Sequence, residues 1–424
     1  MYKVYICTKA SDIVKGNDFF QHIIAYYGIP SKTTDVFCQD FRCDVHYSDE
    51  FIDFVVRKMK RLCIEQDNIS FYFYSPKFAY YIINKEPKLA NYIRCLNSEI
   101  LLQQLDNKII ARSWAKEYVN VVPFKILTIN SCLSELRTNK KLASLVIQYP
   151  DSVGGEGTYI LSPNYNNENG KKCFKDFSKD TFFLVSPFLK DAISATCHII
   201  VYEENTLVFP IGISKTIITD EIIQRPIYQG TEYRIQNLIK QNIIKKIHNG
   251  INNIGRQLAN IGYRGICGID FMVNNDDIYI MEFNPRFLGS SFIVDMALID
   301  NHLPSLAYFN EEAFIKSSPL SKHLQKVQEL SIPYSSHVFT INEHFSQNTF
   351  NILINNIPPN WTVFFDGLNQ HIPIVTYEND TYLFRAVEKN ISDNKVLSNK
   401  NLCNLNGGRL LGRLTLKMRK PCML

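Results

Sequence analysis

The residues of this sequence that are best placed to do chemistry lie in the segment GIDFMVNNDDIYIMEFNPRFLGSS, from Gly268 to Ser291. The segment has the pattern of two short apolar strands joined by a polar turn. Asp270, Glu282 and Asn284 nevertheless stand inside the strands, where an ordinary core would have aliphatic side chains. Two carboxylates and an amide in such positions resemble a ligand set, and oxygen ligands of this kind suit Mg²⁺.

The alternation of a β-strand decides which of these side chains face the same way. Residues two apart share a face, so Glu282 and the amide two residues later point to one side. A three-residue loop at 275–277 would pair Asn274 with Ile278, and therefore Asp270 with Glu282. Two directly opposed carboxylates destabilise a sheet unless a cation compensates them. The hairpin thus has two interpretations: a Mg²⁺ site completed by substrate phosphates, or a solvated sheet face with stray polar residues.

Three further segments carry residues that could bind a nucleotide. YPDSVGGEGTYI has three glycines between two strands, and glycines let backbone N–H groups close around phosphate oxygens. LDNKIIARSWAKEY places Lys108 at a helix start, and LVSPFL is an apolar strand that breaks at Pro187. Each segment also has a plainer interpretation: a flexible hairpin loop, a solvated surface lysine and a domain junction.

These segments belong to a regular succession of strands and helices. Residues 1–98 alternate short strands (KVYIC, ISFYFYS) with a helical pattern (DEFIDFVVRKMKRLCIE), which is typical of a small α/β domain. One helix is predicted over NSEILLQQLDNKIIARSWAKEY, followed by extended segments at VVPFKIL, ASLVIQYP and DTFFLVSPFL. SATCHIIVYEENTLVFPIGISKTI predicts a hairpin that turns at Glu204–Asn205. A long helix over TEYRIQNLIKQNIIKKIHNGINNIGRQLANIG, with Gly262 as its C-cap, precedes the carboxylate hairpin.

The bulk composition restricts the class of protein. A chain of 424 residues with 46% hydrophobic content can build two or three domains with apolar cores. The net charge of +5 is small and scattered, so no nucleic-acid partner is expected. Its apolar stretches are too short to span a membrane, and the N-terminus lacks the pattern of a signal peptide. Eleven cysteines without a CxxC motif indicate reduced thiols, and we expect a cytoplasmic protein.

In their order and spacing, the segments resemble the ATP-grasp superfamily. The resemblance covers residues 90–310 and rests on an NK before a helix, a strand leading into a glycine-rich loop, an apolar hinge strand and the hairpin. The hairpin is the most specific part: an acid, eleven intervening residues and then Glu-x-Asn-x-Arg, which ends at Arg286. The resemblance favours the metal site over the solvated face.

The resemblance implies a role for each of these residues. ATP would lie between two α+β subdomains with two Mg²⁺ ions (Mn²⁺ as the alternative), one held by Asp270 and Glu282, the other by Glu282 and Asn284. Glu282 and Arg286 would be the catalytic pair, with Arg286 facing the reacting phosphoryl or carboxylate group. Lys108 would reach the α-phosphate. The glycine loop would close over the β- and γ-phosphates and the hinge would hold adenine through main chain: Gly154, Gly155, Gly157, Thr158, Ser186, Pro187, Phe188 and Leu189.

One position departs from the superfamily's pattern. The strand before the glycine loop normally ends in a lysine, whereas this chain has Gln148 in VIQYP. An amide donates hydrogen bonds but carries no charge, so one phosphate contact is weakened. Lys215, in GISKTI, is the residue expected to compensate as an ATP-binding cation from the facing strand.

The pattern of elements and the resemblance together predict a mixed α/β and α+β fold in three parts. An N-terminal α/β domain at 1–105, of the type that precedes ATP-grasp cores, leads into a core at 106–330 with subdomains 106–190 and 191–330. Residues 331–424 form a C-terminal α+β extension with strands near SHVFTI, WTVFFDG and TYLFRAVE. This extension is expected to act as a lid, a specificity region or an oligomer contact, with a homodimer as the expected assembly.

The activity implied by the resemblance is ATP-dependent ligation of a carboxylate to an amine. An acylphosphate intermediate would give an amide or peptide bond, ADP and phosphate. SPFLKDAISATCHIIVYEENTLVFPIGIS is similar to the central part of ligases that build small peptides or amino-acid conjugates, so amino acids or a peptide are the expected substrates. Two alternatives stay open: a biotin-carboxylase-like enzyme that activates bicarbonate, and a nucleotide-binding regulatory protein without turnover, for which Gln148 is the only motive.

Overall fold

The structure, a computed structural model, arranges the chain around three sheets. It describes residues 1–38, 48–138, 144–152, 157–161, 174, 177–178, 180–189, 191–218, 224–234, 241–274, 276–341, 361–364 and 381–389. One sheet is parallel and two are antiparallel, so the predicted mixed α/β and α+β class is confirmed. In the described part of the chain, no helix has the length and apolar character that a bilayer crossing requires.

The N-terminal domain is a four-stranded parallel sheet with helices packed on it. Its strand order is β3-β2-β1-β4. The elements are β1 (Tyr2–Lys9), β2 (His22–Tyr27), β3 (Thr34–Cys38), α1 (Asp49–Glu65), β4 (Ile69–Phe73) and α2 (Pro76–Lys85). α1 spans the residues that its helical pattern predicted, and Ser48 caps it by accepting a hydrogen bond from the N–H of Phe51. β4 is buried along its whole length, as a strand covered on both faces must be.

A small antiparallel sheet forms the first half of the core. Its strand order is β5-β8-β6-β7. The elements are α3 (Glu99–Asp106), α4 (Lys108–Ala115), β5 (Lys125–Thr128), α5 (Ile129–Thr138), β6 (Leu145–Gln148), β7 (Thr158–Leu161) and β8 (Phe182–Pro187). One face of this sheet packs into an apolar core that includes Ile147, Phe183 and Val185. The opposite face is therefore the one available to a ligand.

The single helix predicted over residues 97–118 is wrong, because the chain breaks at Asn107. The side-chain oxygen of Asn107 accepts hydrogen bonds from the N–H groups of Ile109 and Ile110, and α4 starts there. An asparagine that bonds to the following backbone in this way offers an alternative to continuing the preceding helix. Lys108 is consequently the first residue of its helix, as predicted.

A large antiparallel sheet forms the second half of the core. Its strand order is β14-β13-β9-β11-β12-β15-β17-β16, with β10 paired to β9. The bounds are β9 (Ile193–Val201), β10 (Thr206–Val208), β11 (Gly212–Ile218), β12 (Pro226–Glu232), β13 (Gly265–Asn274), β14 (Asp277–Asn284), β15 (Tyr334–Ile341), β16 (Trp361–Phe364) and β17 (Thr381–Lys389). The last three strands come from beyond residue 330. The described part of the C-terminal extension therefore continues the sheet of the core.

Helices pack on both faces of the large sheet. They are α6 (Gln241–Asn260) on one face, and α7 (Ser291–Asp300), α8 (Leu306–Ile315) and α9 (Ser321–Gln328) on the other. The predicted long helix is wrong at its start, because residues 231–232 end β12. Its end is confirmed: Gly262 has φ +86°, and the N–H groups of Gly262 and Tyr263 donate to the carbonyls of Ala259 and Leu258.

Candidate functional site

The hairpin of β13 and β14 brings its two carboxylates face to face. Asp270 pairs with Glu282, so the predicted pairing is confirmed. On its other side Asp270 pairs with Thr196 of β9, which places a hydroxyl on the same face. This face carries the polar residues, whereas the neighbouring residues of both strands, such as Phe271 and Phe283, lie in the apolar core under α6. The alternation that the sequence suggested therefore separates a polar face from a core face.

The details of the turn differ from the prediction, although the outcome is the same. The predicted three-residue loop is wrong: Asn274 pairs with Asp277, so two residues connect the strands. A β-bulge between Asp270 and Phe271 restores the register, because Met281 is an extra residue in β14. The shorter loop and the bulge shift the pairing in opposite directions, and the carboxylates remain opposed. The bulge also leaves the carbonyl of Met281 outside the regular ladder.

Charges of both signs surround the carboxylate pair. Burial, assisted by the charge of Glu282, raises the pKa of Asp270 to about 7. The amide Nδ2 of Asn284 donates to Asp270 Oδ2 at 2.9 Å, and Arg286 Nη2 donates to Asn284 Oδ1 at 2.8 Å. Lys108 Nζ lies 3.4 Å from Glu282 Oε2. The pair thus resists carrying two negative charges, and Lys108 places a positive charge beside Glu282.

The donor set fits a hard divalent cation that a second ligand completes. The carboxylates of Asp270 and Glu282 are opposed on one sheet face, and Asn284 lies beside them with its amide nitrogen toward Asp270 and its oxygen toward Arg286. All three side chains carry oxygen atoms of the kind that a hard cation binds. Across the described ranges, no three or more His, Cys, Asp or Glu side chains cluster closely enough to hold a metal on their own. Mg²⁺ is commonly bound in this way, through one or two carboxylates plus the phosphates of a substrate.

Lys108 links the hairpin to the segment before the glycine loop. Its side chain is buried, its ammonium group donates to the carbonyl of Ser152, and its backbone N–H donates to the carbonyl of Pro150 at 3.0 Å. The same ammonium group faces Glu282 from the other side. A lysine in this position is not the solvated surface residue that the plainer interpretation assumed.

The glycine loop is described only at its end. Gly154 and Gly155 lie outside the described residues. Gly157 has φ +68°, and a Cβ there would come within 2.9 Å of the side chain of Ser152. Only glycine fits this position without displacing the segment that Lys108 holds. Thr158 follows directly as the first residue of β7 and is buried.

Three polar side chains share the ligand-facing side of the small sheet. Gln148 pairs with Thr158 on one side and with Leu184 on the other, and Val146, two residues before Gln148, pairs with Ser186. Residues that pair directly lie on one face, so Gln148, Thr158 and Ser186 point away from the apolar core of this sheet. All three are buried, with exposures between 3% and 8%. These three buried side chains form a polar surface, called the amide wall.

A buried arginine contacts the polar side chains of this wall, and the sequence analysis missed it. Arg112 Nη2 donates to Gln148 Oε1 at 3.0 Å, and Arg112 Nη1 donates to Ser186 Oγ at 3.3 Å. Nε and Nη2 also donate to the bulged carbonyl of Met281, at 3.0 and 2.7 Å. The available signal was the spacing: Arg112 follows Lys108 by four residues, which puts both cations on one face of α4.

The predicted hinge lies where β8 ends. Pro187 is the last residue of the strand, the N–H of Phe188 donates to the carbonyl of Ser144 at 2.8 Å, and the carbonyl of Leu189 accepts from Ala192 at 3.2 Å. The Phe188 N–H is therefore used within the protein and is not free for a ligand. Pro187 has no N–H, so only its carbonyl could serve a ligand.

Lys215, expected to compensate for Gln148, is held elsewhere. Its ammonium group donates to Ser335 Oγ at 2.8 Å and contacts His337 Nδ1 at 3.1 Å, both on β15. Burial lowers the pKa of Lys215 to about 8. The cation that contacts Gln148 is Arg112.

The register of the large sheet explains this placement of Lys215. Thr196 pairs with Asp270 on one side and with Gly212 on the other, so these residues share a face. Ser214 lies on that face two residues after Gly212, and Lys215, the next residue, points to the opposite one. The expected role for Lys215 is therefore corrected by its register: its side chain leaves the sheet on the side away from the carboxylates.

The loop after the hairpin is held in place by hydrogen bonds. Arg286 Nη1 donates to the carbonyl of Phe287 at 3.1 Å, which curls the guanidinium back over its own loop. Ser291 Oγ accepts from the N–H of Leu288 at 2.8 Å and contacts Nε2 of the fully buried His198 at 2.9 Å. Burial lowers the pKa of His198 to about 3, so this imidazole is neutral. The loop carrying Arg286 consequently rests on a fixed support.

Comparison with known proteins agrees with this geometry. Residues 106–290 match the family model of the ATP-grasp domain, ATP-grasp_3. The matched range begins at the end of α3 and ends just after the loop that carries Arg286. It therefore contains both the carboxylate hairpin and the polar face of the small sheet. The resemblance to the ATP-grasp superfamily that the sequence motifs indicated is confirmed.

Solved structures with a similar fold cover almost the whole chain. Biotin carboxylase from Campylobacter jejuni is 12% identical, with a TM-score of 0.62 over 93% of this chain and 88% of that one. L-amino acid ligase from Bacillus licheniformis is 12% identical, with a TM-score of 0.60 over 97% of both chains. N5-carboxyaminoimidazole synthetase from Staphylococcus aureus, complexed with ADP, is 13% identical, with a TM-score of 0.56 over 97% of both chains.

At these identities the structural likeness establishes the fold alone, and the family match covers the core. Residues 106–290 of this chain are an ATP-grasp domain, and the chain as a whole has the ATP-grasp fold.

Proposed function

We propose that this protein is an ATP-dependent ligase that joins a carboxylate to an amine. The observation that carries the proposal is the opposition of two walls. One is the hairpin wall, formed by Asp270, Glu282 and Asn284 on the large sheet. The other is the amide wall, formed by Gln148, Thr158 and Ser186 on the small sheet. Lys108 lies between them, with contacts to Glu282 and to the segment before the glycine loop.

The reaction proceeds in two balanced steps. A carboxylate oxygen of the first substrate attacks the γ-phosphorus of ATP, the bond from that phosphorus to the β–γ bridging oxygen breaks, and ADP leaves with the electron pair. The amine nitrogen of the second substrate then attacks the acyl carbon of the acylphosphate. The acyl carbon–oxygen bond breaks, phosphate leaves with its electron pair, and the nitrogen loses a proton. Such a phosphoryl transfer requires chiefly positioning and charge neutralisation.

Each wall has a part in binding the nucleotide. Lys108 contacts the α-phosphate, and the loop that ends at Gly157 and Thr158 closes over the β- and γ-phosphates. Main chain around Pro187 and Leu189 holds the adenine edge. Gln148 supplies an N–H donor to the phosphates, and Lys215 makes no contact with them because it leaves the sheet on the other face.

Asp270 and Glu282 would hold one Mg²⁺ ion, and Glu282 and Asn284 a second. When bound, Mg²⁺ neutralises the charge that develops on the transferring phosphoryl group. Arg286 would face the phosphoryl or carboxylate group that reacts. Arg286 and Lys108 exchange their present contacts with Asn284 and Glu282 for contacts to substrate when the site fills.

The test is ADP release by the purified chain with Mg·ATP and combinations of small carboxylates and amines, amino acids and short peptides among them. The expected result is that one acid and one amine together stimulate release above either alone, and that the product mass equals their sum less one water. Stimulation by bicarbonate alone would instead support a carboxylase-like activity. Tight ATP binding without release under any combination would support a regulatory protein.

A further inference from the structure

Arg112 is a buried cation without a carboxylate among its hydrogen-bond partners. Its side chain is 2% exposed, and its four bonds go to the carbonyl of Met281, the amide oxygen of Gln148 and the hydroxyl of Ser186. All of these acceptors are neutral. Burial lowers the pKa of Arg112 to about 10, while the charge of Glu282 acts in the opposite direction. A buried charge is costly unless an opposite charge compensates it.

The chemistry of arginine fixes the orientation of Gln148. A guanidinium has only donors, so the atom of the Gln148 side chain that faces Arg112 must be the carbonyl oxygen Oε1. The amide nitrogen Nε2 then has to point the other way, and it lies 3.5 Å from Thr158 Oγ1, at the strand that leaves the glycine loop. Without this arginine, an amide could turn over and present its oxygen instead.

The orientation decides which charge the amide wall attracts. Gln148 shows N–H groups, not an oxygen, toward the side where the glycine loop returns at Gly157. The positive charge of Arg112 lies next to the amide oxygen, at 3.0 Å, and polarises the amide in the same sense. An anion placed against the wall would meet a donor and a compensating buried cation. The same guanidinium also holds Met281, whose neighbour Glu282 belongs to the opposite wall.

We propose that Arg112 is the positioning residue for the nucleotide's phosphates: it locks Gln148 as a hydrogen-bond donor to them and supplies the positive charge that this amide lacks. Arg112 acts through Gln148 and does not touch the nucleotide. The charge of the phosphate contact thus resides on helix α4 and not on the strand. This inference rests on the proposed function, because it requires that phosphates occupy the cleft between the two walls.

Calorimetric titration of Mg·ATP and of adenosine into the full chain tests the proposal. In Gln148→Glu the acceptor toward Arg112 is kept and becomes a salt bridge, while the donor toward the cleft is replaced by an oxygen. We expect ATP affinity to fall roughly tenfold to a hundredfold, as for the loss of a charge-assisted contact, with adenosine affinity and melting temperature maintained. In Arg112→Met the amide is free to turn over, and ATP affinity again falls while adenosine affinity stays.

A charge swap makes the test sharper. Gln148→Lys alone places an ammonium group against the guanidinium and should lower the melting temperature. The double variant Gln148→Lys with Arg112→Met moves the charge onto the strand, and we expect it to regain most of the ATP affinity that Arg112→Met loses. Arg256→Met, at an exposed position of α6, is the matched control and should change neither ligand's affinity.

Three outcomes would overturn the inference: ATP affinity in Gln148→Glu equal to wild type, equal losses for ATP and adenosine in the Arg112 variant, or a double variant no better than Arg112→Met. Equal losses would mean that Arg112 only maintains the fold. A wild-type chain that binds adenosine and ATP equally, or neither, would contradict the proposed function itself, and this result is read before any variant is made.

Discussion

The two walls of the cleft handle charge in opposite ways. The hairpin wall opposes two carboxylates, and burial with mutual repulsion raises the pKa of Asp270 to about 7. The amide wall carries a neutral amide and two hydroxyls, and the buried guanidinium of Arg112 donates to the amide oxygen of Gln148 and to the hydroxyl of Ser186. The hairpin wall therefore needs a cation in front of it, whereas the amide wall needs an anion. The metal–nucleotide complex proposed as the ligand would present both.

Helix α4 carries one cation that contacts each wall. Lys108, its first residue, faces Glu282, and Arg112, one turn later, faces Gln148. The exposed part of the hairpin wall is open to exchange, because Glu282 retains 25% side-chain exposure. Arg112, by contrast, is closed to solvent and fully engaged on three sides. We infer that the hairpin wall changes its contacts when ligands bind, and that the amide wall is already in its final arrangement.

The largest expected effect comes from neutralising the hairpin wall. Glu282→Gln keeps the shape of the side chain and removes one of two opposed charges. We expect turnover to fall by about 10²–10³-fold, because the electrostatic stabilisation of the transferring phosphoryl group is lost. The apo melting temperature should stay at the wild-type value or rise slightly, since repulsion with Asp270 is relieved. Steady-state ADP release and thermal unfolding measure the two effects.

Asp277→Asn is the matched control for this prediction. Asp277 lies in the same hairpin, its side chain is 55% exposed, and it pairs only loosely with Lys246. Its replacement should leave both turnover and stability close to wild type. If Glu282→Gln instead lowered the melting temperature sharply and kept its turnover per folded molecule, Glu282 would be a structural residue and the two walls would not differ as described.

The second-largest expected effect comes from removing the metal that the hairpin wall is proposed to bind. Removal of Mg²⁺ with EDTA leaves the carboxylates of the hairpin wall facing the nucleotide phosphates without a cation. We expect ATP affinity to fall roughly tenfold or more, as for the loss of charge-assisted contacts, while adenosine affinity is unchanged. Calorimetry with and without the metal makes the measurement. Equal ATP affinity in excess EDTA would count against the metal assignment and leave the amide wall as the main phosphate site.

More of the hairpin wall than of the amide wall could be predicted from the sequence, for a physical reason. Asp270 and Glu282 lie on adjacent strands of one hairpin, so strand alternation and a short turn nearly fix their meeting. The turn length was wrong and the bulge at Met281 was unforeseen, yet the two errors cancel in the register. The predicted pairing of Asp270 with Glu282 was therefore correct although the predicted turn length was wrong.

The amide wall depends on contacts that no local pattern encodes. Arg112 meets Gln148 across 36 positions and Met281 across 169, so its partners could not be read from neighbouring residues. The strand β12 was likewise missed, and its last two residues were assigned to a helix, because TEY followed by an apolar periodicity favoured a helix over the pairing that the large sheet imposes. Lys215 was assigned to phosphate on its type, whereas its register sends it to the opposite face. Helix α1, whose pattern is local, was predicted to the residue.

A smaller effect on the nucleotide is expected at Lys215, and this prediction compares the two candidate cations. Lys215→Met should leave ATP affinity within about twofold of wild type, in contrast to Arg112→Met. The variant should instead change the pH dependence of stability. The reason is that the pKa of Lys215 is lowered in the folded state to about 8, below its ordinary value of 10.5. The unfolded chain binds more protons between these values, so this group adds stability as pH rises from 8 to 10.5, on the order of a few kcal/mol.

Unfolding of wild type and Lys215→Met across that pH range checks the sign. The wild type should gain stability relative to the variant as pH rises, and Lys246→Met, at an exposed lysine of α6, should show no such difference. A loss of ATP affinity as large as that of Arg112→Met would return Lys215 to the phosphate site and remove the distinction between the two faces.

The smallest expected effect tests the helix that both walls share. Asn107 caps α4 through two N–H groups, at 3.1 Å each, so Asn107→Ala should lower the free energy of unfolding by about 1 kcal/mol. The first turn of α4 frays more than the second, and Lys108 lies in the first while Arg112 lies in the second. ATP affinity should therefore fall only slightly, through Lys108, and the Gln148→Glu effect should persist in the Asn107→Ala background. Asn107→Ser keeps a capping oxygen and should retain most of the stability. If the alanine and serine variants unfold together at the wild-type midpoint, the cap does not hold α4, and the position of Lys108 depends on its contacts with Pro150, Ser152 and Glu282.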